Sequence, residues 1–165
     1  MHESFPISIR ALAADTVGLA RGLAQSSLDG TPYAEHVLSV LYDAATAPGR
    51  ESRALIVHSG SHDLLGVVVF GEVAGALGTG KLHFVGVTAG ARLQGIASRL
   101  INAAIAVLAQ DGARFVLAEV PDDPRVAAMP ELLLRSQFVE EARIPDFYAD
   151  GVALICFRRE IVRGI

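Results

Sequence analysis

VGVTAGARLQGIAS, residues 85–98, is the stretch on which the fold turns. Its first residues close a run, 81–87, that reads as a β-strand. From Gln94 to Gln110, the residues Ile96, Leu100, Ala103, Ala104, Val107 and Leu108 recur at helical spacing, and Asp111 and Gly112 supply the stop. Residues 115–120 are strand-like again. Strand, helix and strand in close succession form a β-α-β unit, so 81–87 and 115–120 are expected to lie side by side and parallel. The start of the helix is where chemistry is expected. Helix starts leave backbone N–H groups unpaired and carry a partial positive charge, which suits a phosphate. Gly95 and Ala97 keep side-chain bulk away from such an anion, and Arg92 adds a cation at the mouth.

Outward from this unit the pattern stays regular. Residues 7–10 alternate as a short strand, and Asp15 opens a helix through Val17, Leu19, Ala20 and Leu23 that is broken at 25–30. A second helix starts at Thr31 and Pro32, proline being tolerated in a first turn. It carries Val37, Leu38 and Leu41 and stops at Pro48 and Gly49. Residues 54–58 and 64–73 are β-type runs around a polar loop, hence an antiparallel hairpin. With 81–87 they make a meander. Downstream, 121–124 opens a short helix to about residue 134. The last two strands are 138–142 and 152–158, joined by 144–151. The expected order is β-α-α-β-β-β-α-β-α-β-β. That is an α/β (α+β) mixed sheet of about seven strands with helices on both faces, in one domain spanning 1–165.

Composition bounds the function. The 165 residues suit about one domain, and 52% apolar against 19% charged residues exclude a disordered chain. Lys and Arg number 14 against 18 Asp and Glu, a net charge of -4, which disfavours general nucleic-acid binding. One Cys excludes an intrachain disulfide framework and a multi-cysteine zinc site. The longest apolar runs, 100–109 and 64–70, fall short of the ~18 residues of a membrane span. The opening MHESFPISIR lacks a basic segment followed by an apolar run, so no secretory signal is expected. The expectation is a soluble, cytoplasmic protein.

Two phosphate-loop patterns fail on the letters. GALGTGK, residues 75–81, looks like a nucleotide loop, but Leu82 stands where Ser or Thr must hold magnesium, and a strand follows. The dinucleotide pattern G-x-G-x-x-G is not met around 86–95. What does fit is Arg92-Leu93-Gln94-Gly95-Ile96-Ala97, which matches [RQ]-x-x-G-x-[GA] and so resembles the GNAT family of N-acetyltransferases. Val87, five residues before Arg92, and Leu100 along the helix agree with that family's strand-loop-helix pattern. IPDFYADG, residues 144–151, is similar to the aromatic-Tyr-x-x-Gly segment that precedes its last strand. The element order agrees over 7–158, nearly the whole chain.

The resemblance implies transfer of the acetyl group of acetyl-CoA directly to an amine of a small molecule or a protein N-terminus, without a metal. It implies that the strand before the turn splays from its parallel neighbour and that the backbone of Val85, Gly86 and Val87 meets the pantetheine. Arg92, Leu93, Gln94, Gly95, Ile96, Ala97 and Ser98 would cradle the diphosphate through backbone donors, so the side chains of Leu93, Gln94 and Ile96 could vary. A protonated amine is no nucleophile, so a base must take its proton, and an acid can protonate the leaving thiolate. A free backbone N–H in the splayed strand would stabilise the developing oxyanion. Glu119, in Leu117-Ala118-Glu119-Val120, is similar to the Leu-Glu-Val segment of ribosomal-protein N-terminal acetyltransferases, where that Glu is the base. Glu72 and His83 are the alternatives, His83 because imidazole titrates near neutrality.

The chain also departs from the family pattern. Gln137-Phe138 replaces Gly-Phe, no Asn occurs from 120 to 134, and Leu133 stands at the usual tyrosine position. Tyr148 is left as the candidate acid, and a catalytically degenerate acyl-CoA-binding protein is the alternative reading. Pro130 is expected to disturb its helix. Tyr33, Glu35 and His36 begin the second helix, which in the family walls the acceptor site. Cys156, in an apolar run, reads as a small core residue. His58, His62 and Asp63 lie around a hairpin loop and are not expected to bind metal. Arg158, Arg159 and Arg163 read as solvated ends. The expected partner is an amine substrate, with no nucleic acid and no membrane, and the apolar surplus favours a homodimer.

Overall fold

The computed structural model describes residues 7–60 and 63–162. Its strands form one sheet in the order β1-β2-β3-β4-β5-β7-β6. β1 (Ser8–Ala11), β2 (Arg53–His58), β3 (Leu64–Glu72) and β4 (Thr79–Val87) make an antiparallel meander. β5 (Phe115–Pro121) lies parallel to β4, as the β-α-β reading requires. β7 (Val152–Glu160) and β6 (Val139–Ala149) complete the sheet antiparallel. Helices α1 (Val17–Ser27) and α2 (Ala34–Thr46) pack on one face, and α3 (Ile96–Gln110) and α4 (Ala128–Arg135) on the other. Among the described residues no helix is long and apolar enough to cross a membrane.

β3 shows why its sequence is apolar without alternation. Val67 and Val69 join Leu41 and Phe84 in the core beneath α1 and α2, while Val68 and Phe70 join Leu100 and Leu108 beneath α3. A strand buried on both faces has no polar phase. Burying each such side chain contributes about 1.5–3 kcal/mol.

β4 positions the site. Thr79 to Leu82 pair in parallel with Phe115 to Ala118, and the pairing ends there although both strands continue. At that point β4 holds one residue more than β3: Val69 faces Phe84 and Phe70 faces Leu82, so His83 is bulged out. A bulge bends its strand and adds twist, which carries the rest of β4 away from β5. It also turns successive side chains to one face. His83 comes within 6.0 Å of the His36 ring on α2, and Phe84 enters the α1/α2 core. The Phe84 ring lies over Gly86, where an added Cβ would come within 2.7 Å of it. Gly86 is thus required by packing.

Two sequence expectations are corrected. Residues 121–124 do not open a helix. Asp123 caps a short 3-10 turn, Pro124–Val126, and α4 starts only at Ala128, so Pro130 falls in a first turn, where no helical donor is lost. The expected link 144–151 is mostly strand, since β6 runs on to Ala149 with irregular register between Ile144 and Ala149. Pro145 is tolerated there because β6 is an edge strand. Asp146, at φ 52°, accepts the Gly151 N–H at 2.7 Å and closes the hairpin.

Candidate functional site

Above β4 the chain makes a 3-10 turn (Ala89–Ala91), then a bend through Arg92 to Gly95, then α3. Leu93 (φ 63°) and Gly95 (φ 73°) are both left-handed. Open space surrounds the missing Cβ of Gly95, so the position needs glycine for its backbone conformation. Left-handed residues placed this way turn successive N–H groups towards one concavity, an arrangement that holds anions. Among the described residues, the Arg99 amide is the first to reach a helical acceptor, Gly95 O at 3.1 Å, while the amides of 93–98 have none. Arg92, Leu93, Gln94 and Gly95 are exposed, and Ala97 and Ser98 are half-buried. Ile96 departs from expectation. It is buried in the α3 core beside Ala91 and Leu100, so its side chain is not free to vary.

Below this turn lies the gap between β4 and β5. Alternate residues of a strand direct their N–H and C=O groups to opposite neighbours. Past Leu82, those of β4 on the β5 side have no strand partner. Val85 and Val87 back the gap with side chains packed towards α3.

The gap opens onto a cleft. α1 and α2 cover the sheet over β2 to β4, and the same face over β5 and β7 is left open. Glu119 and Cys156 face each other there across the β5–β7 ladder. Lys81 Nζ donates to Glu119 Oε2 at 2.6 Å. Tyr33, at the start of α2, and His36 form one wall with His83. Tyr148 forms the other, edge-on to Tyr33 with ring centroids 5.4 Å apart and to Phe147 at 5.0 Å. Asp123 clasps the two sides together. Buried, it accepts from Tyr33 Oη at 2.8 Å and from Arg125 Nη2 at 2.6 Å, and Arg125 Nη1 donates to Gly30 O at 2.9 Å.

These surroundings set protonation. Burial, then the nearby Lys81 and His36 charges, push His83 down to about 4, against Glu119, which opposes the shift. Its Nδ1 is buried without a partner, so at neutral pH the ring is an uncharged imidazole with a nitrogen to spare. Burial, then Glu119, raises Tyr148, which therefore keeps its proton. Its hydroxyl makes no hydrogen bond among the described residues, whereas Tyr33's is committed to Asp123. Hydrogen bonds from Arg125 and Tyr33 hold Asp123 far below the usual carboxylate range. Burial, then Glu119, raises Cys156, keeping it a thiol.

The structure thus gathers Glu119, His83, Tyr148, Tyr33 and His36 in one cleft below the Arg92–Ser98 turn. It separates Glu72 from them. Glu72 pairs with Gly80 at the opposite end of β4 and is gripped by Arg50 through Nε at 2.9 Å and Nη2 at 2.6 Å, away from this cleft. Cys156, expected in the core, lies half-exposed on the cleft floor. Leu133 is fully buried. With Phe138 N–H on Leu133 O at 3.0 Å and Gln137 N–H on Leu134 O at 3.2 Å, the segment is a helix stop in which Gln137 (φ 67°) takes the left-handed place that glycine favours. His58 Nε2 lies 2.8 Å from Ser8 Oγ. His62 and Arg163 fall outside the described residues. Among the described residues no three His, Cys, Asp or Glu side chains converge on a metal position. Grooves of about 570 and 720 Å³ lie elsewhere, beside α3 and the end of β7, and around the β3–β4 turn. Lys81, Asp123 and Arg125 were missed by sequence reasoning. The signal for Lys81 was a charge inside an otherwise apolar parallel strand.

The sequence model of the Acetyltransferase (GNAT) family matches residues 23–131. No curated protein matches the chain in sequence. Solved structures share the whole fold at low identity. A GNAT-family protein from Desulfovibrio desulfuricans superposes with a TM-score of 0.86 at 19% identity, covering 95% of this chain and 100% of its own. The ribosomal-protein-S18-alanine N-acetyltransferase of Escherichia coli gives 0.74 at 16%, covering 97% of both chains. The yncA protein of Salmonella typhimurium, solved with its cofactor acetyl-CoA, gives 0.74 at 14%, covering 97% of this chain and 96% of its own.

Proposed function

The chain belongs to the GNAT acetyltransferase family, and on that premise we propose that the cleft below the β4–α3 turn acetylates a primary amine directly from acetyl-CoA, with Glu119 as base and Tyr148 as acid. One observation carries the reading: the gap that opens past Leu82 and the unpaired amides of 93–98 lie at the same end of β4. The site residues fit the cosubstrate. Free edge groups of β4 suit the amide-bearing pantetheine arm, and the concave turn suits a diphosphate. Bound acetyl-CoA supplies a thioester, an activated acyl group whose leaving thiol is a weak base. The gap-facing N–H groups of β4 are available to donate to the thioester oxygen, which gains charge during transfer.

Glu119 accepts from the Lys81 ammonium through Oε2, and its other oxygen is left to take a proton from the incoming amine, directly or through water. His83, uncharged, can accept a hydrogen bond at Nδ1. Tyr148 retains its proton until the thiolate develops and then can donate it. The acceptor class is an amine of a small molecule or a protein N-terminus, the latter supported by the name of the Escherichia coli neighbour. We also infer a homodimer formed along β6. This edge strand is exposed over all eleven residues, with Val139 58% and Ile144 49% exposed, a liability that pairing with a second copy removes.

Calorimetric titration with acetyl-CoA, followed by thiol release against an amine panel, tests the activity. Saturable binding with amine-dependent release supports it. Binding with no release for any amine favours the binding-only alternative and removes Glu119 and Tyr148 from their roles.

A further inference from the structure

The cleft described above has a charge pattern that bears on the acceptor. The floor carboxylate, Glu119, and Asp123 beside Tyr33 are each met by a cation of the chain. Lys81 sits on Glu119 and Arg125 on Asp123, both at 2.6 Å. An acceptor whose second ammonium approaches Glu119 meets the Lys81 charge. The other wall is aromatic. Tyr33, Tyr148 and Phe147 stand edge-to-face in a row, with Phe147 55% and Tyr148 37% exposed, so ring faces are open to a flat apolar body.

We propose that the acceptor is a monoamine carried on an aromatic or planar apolar group, and that Lys81 is the specificity-determining residue that excludes diamines and polyamines. The inference rests on the acetyltransferase reading of the same cleft. Lys81 works through Glu119. Its ammonium takes the place on the carboxylate that a substrate's second charge would occupy, while the reacting amine approaches the other oxygen. The aromatic row holds the substrate's body and leaves the amine facing Glu119.

Initial rates of thiol release with 2-phenylethylamine, n-butylamine and spermidine test this, using wild type, Lys81→Met, Lys81→Arg and Phe147→Leu. Thermal melting shows that each variant is folded. Wild type is expected to prefer 2-phenylethylamine over spermidine by about 30-fold or more in kcat/KM, the scale expected when an incoming ammonium is set against a like charge. Lys81→Met should bring that ratio to within about threefold, mainly by lowering KM for spermidine, and Lys81→Arg should restore it. Phe147→Leu should raise KM for 2-phenylethylamine about tenfold, the scale of a lost aromatic contact, with n-butylamine unchanged in KM. A wild-type preference for spermidine, or an unchanged ratio in Lys81→Met, overturns the acceptor assignment alone. Acetyl-CoA binding with no turnover of any of the three overturns the transferase reading on which it rests.

Discussion

The two halves of β4 are made of similar residues and have different tasks. From Thr79 to Leu82 the strand is laddered to β3 on one side and β5 on the other, and Leu82 is locked in the α3 core. From His83 to Val87 it keeps β3 and loses β5. What separates them is one extra residue, His83, at the bulge. A single insertion converts a laddered strand into one with a free edge, and the helix that follows supplies unpaired amides at the end of that edge. Both halves bury apolar side chains, Leu82 in the lower and Phe84 and Val85 in the upper, but only the upper has a free edge with which to bind.

The comparison breaks most visibly at its two ends. Gly95→Val forces a β-branched side chain into a left-handed conformation at the turn. It is expected to weaken acetyl-CoA binding about 100-fold or more in calorimetry while costing about 1–2 kcal/mol of stability. Leu82→Ala should do the reverse, losing about 2–5 kcal/mol in denaturant melts with acetyl-CoA affinity of the folded protein kept within a few-fold. Equal binding losses in both would erase the distinction between the halves.

At the cleft, Glu119→Gln should lower kcat about 100-fold or more with little change in acetyl-CoA affinity, the scale of a lost general base. A wild-type rate would remove Glu119 from the proton path. His83 sharpens the boundary between the halves through pH. Its folded value lies near 4 against 6.5 for the free side chain, so between these the unfolded chain binds more protons. Stability should therefore fall as pH drops through that window, by about 1–3 kcal/mol, and be unaffected by this group above it. Asp123 and Glu72, held below their ordinary values, lose their contributions only at lower pH. His83→Gln should flatten the acid limb of a stability–pH curve. The smallest effect lies outside the comparison. Gln137→Gly, at φ 67°, should raise stability by about 0.5–1 kcal/mol with activity unchanged.

Much of this was legible in the sequence because it is periodic. The α3 stripe from Ile96 to Leu108 and the doubly buried β3 run fix the β-α-β unit and the meander without tertiary information. The turn was legible from Gly95, although its reason proved to be backbone conformation rather than space. The bulge was not, since an inserted residue has no letter of its own and shows only when β4 is laid against β3. The Lys81–Glu119 pair joins positions 38 apart, and the Tyr33–Asp123 clasp positions 90 apart. No local pattern carries such a meeting. Glu72 was misplaced for the same reason. Strand ends look alike in sequence, and only topology shows that its end of β3 is remote from the turn. Cys156 sits in a run that alternates between the α3 core, holding Ile155 and Phe157, and the open floor, a phase that apolar letters on both faces conceal.

Amide hydrogen exchange with and without saturating acetyl-CoA tests the central claim most directly. The account predicts slowed exchange in residues 83–87 and 93–98 and no change in 79–82. Added protection confined to other segments, or none in these two at saturation, would contradict it.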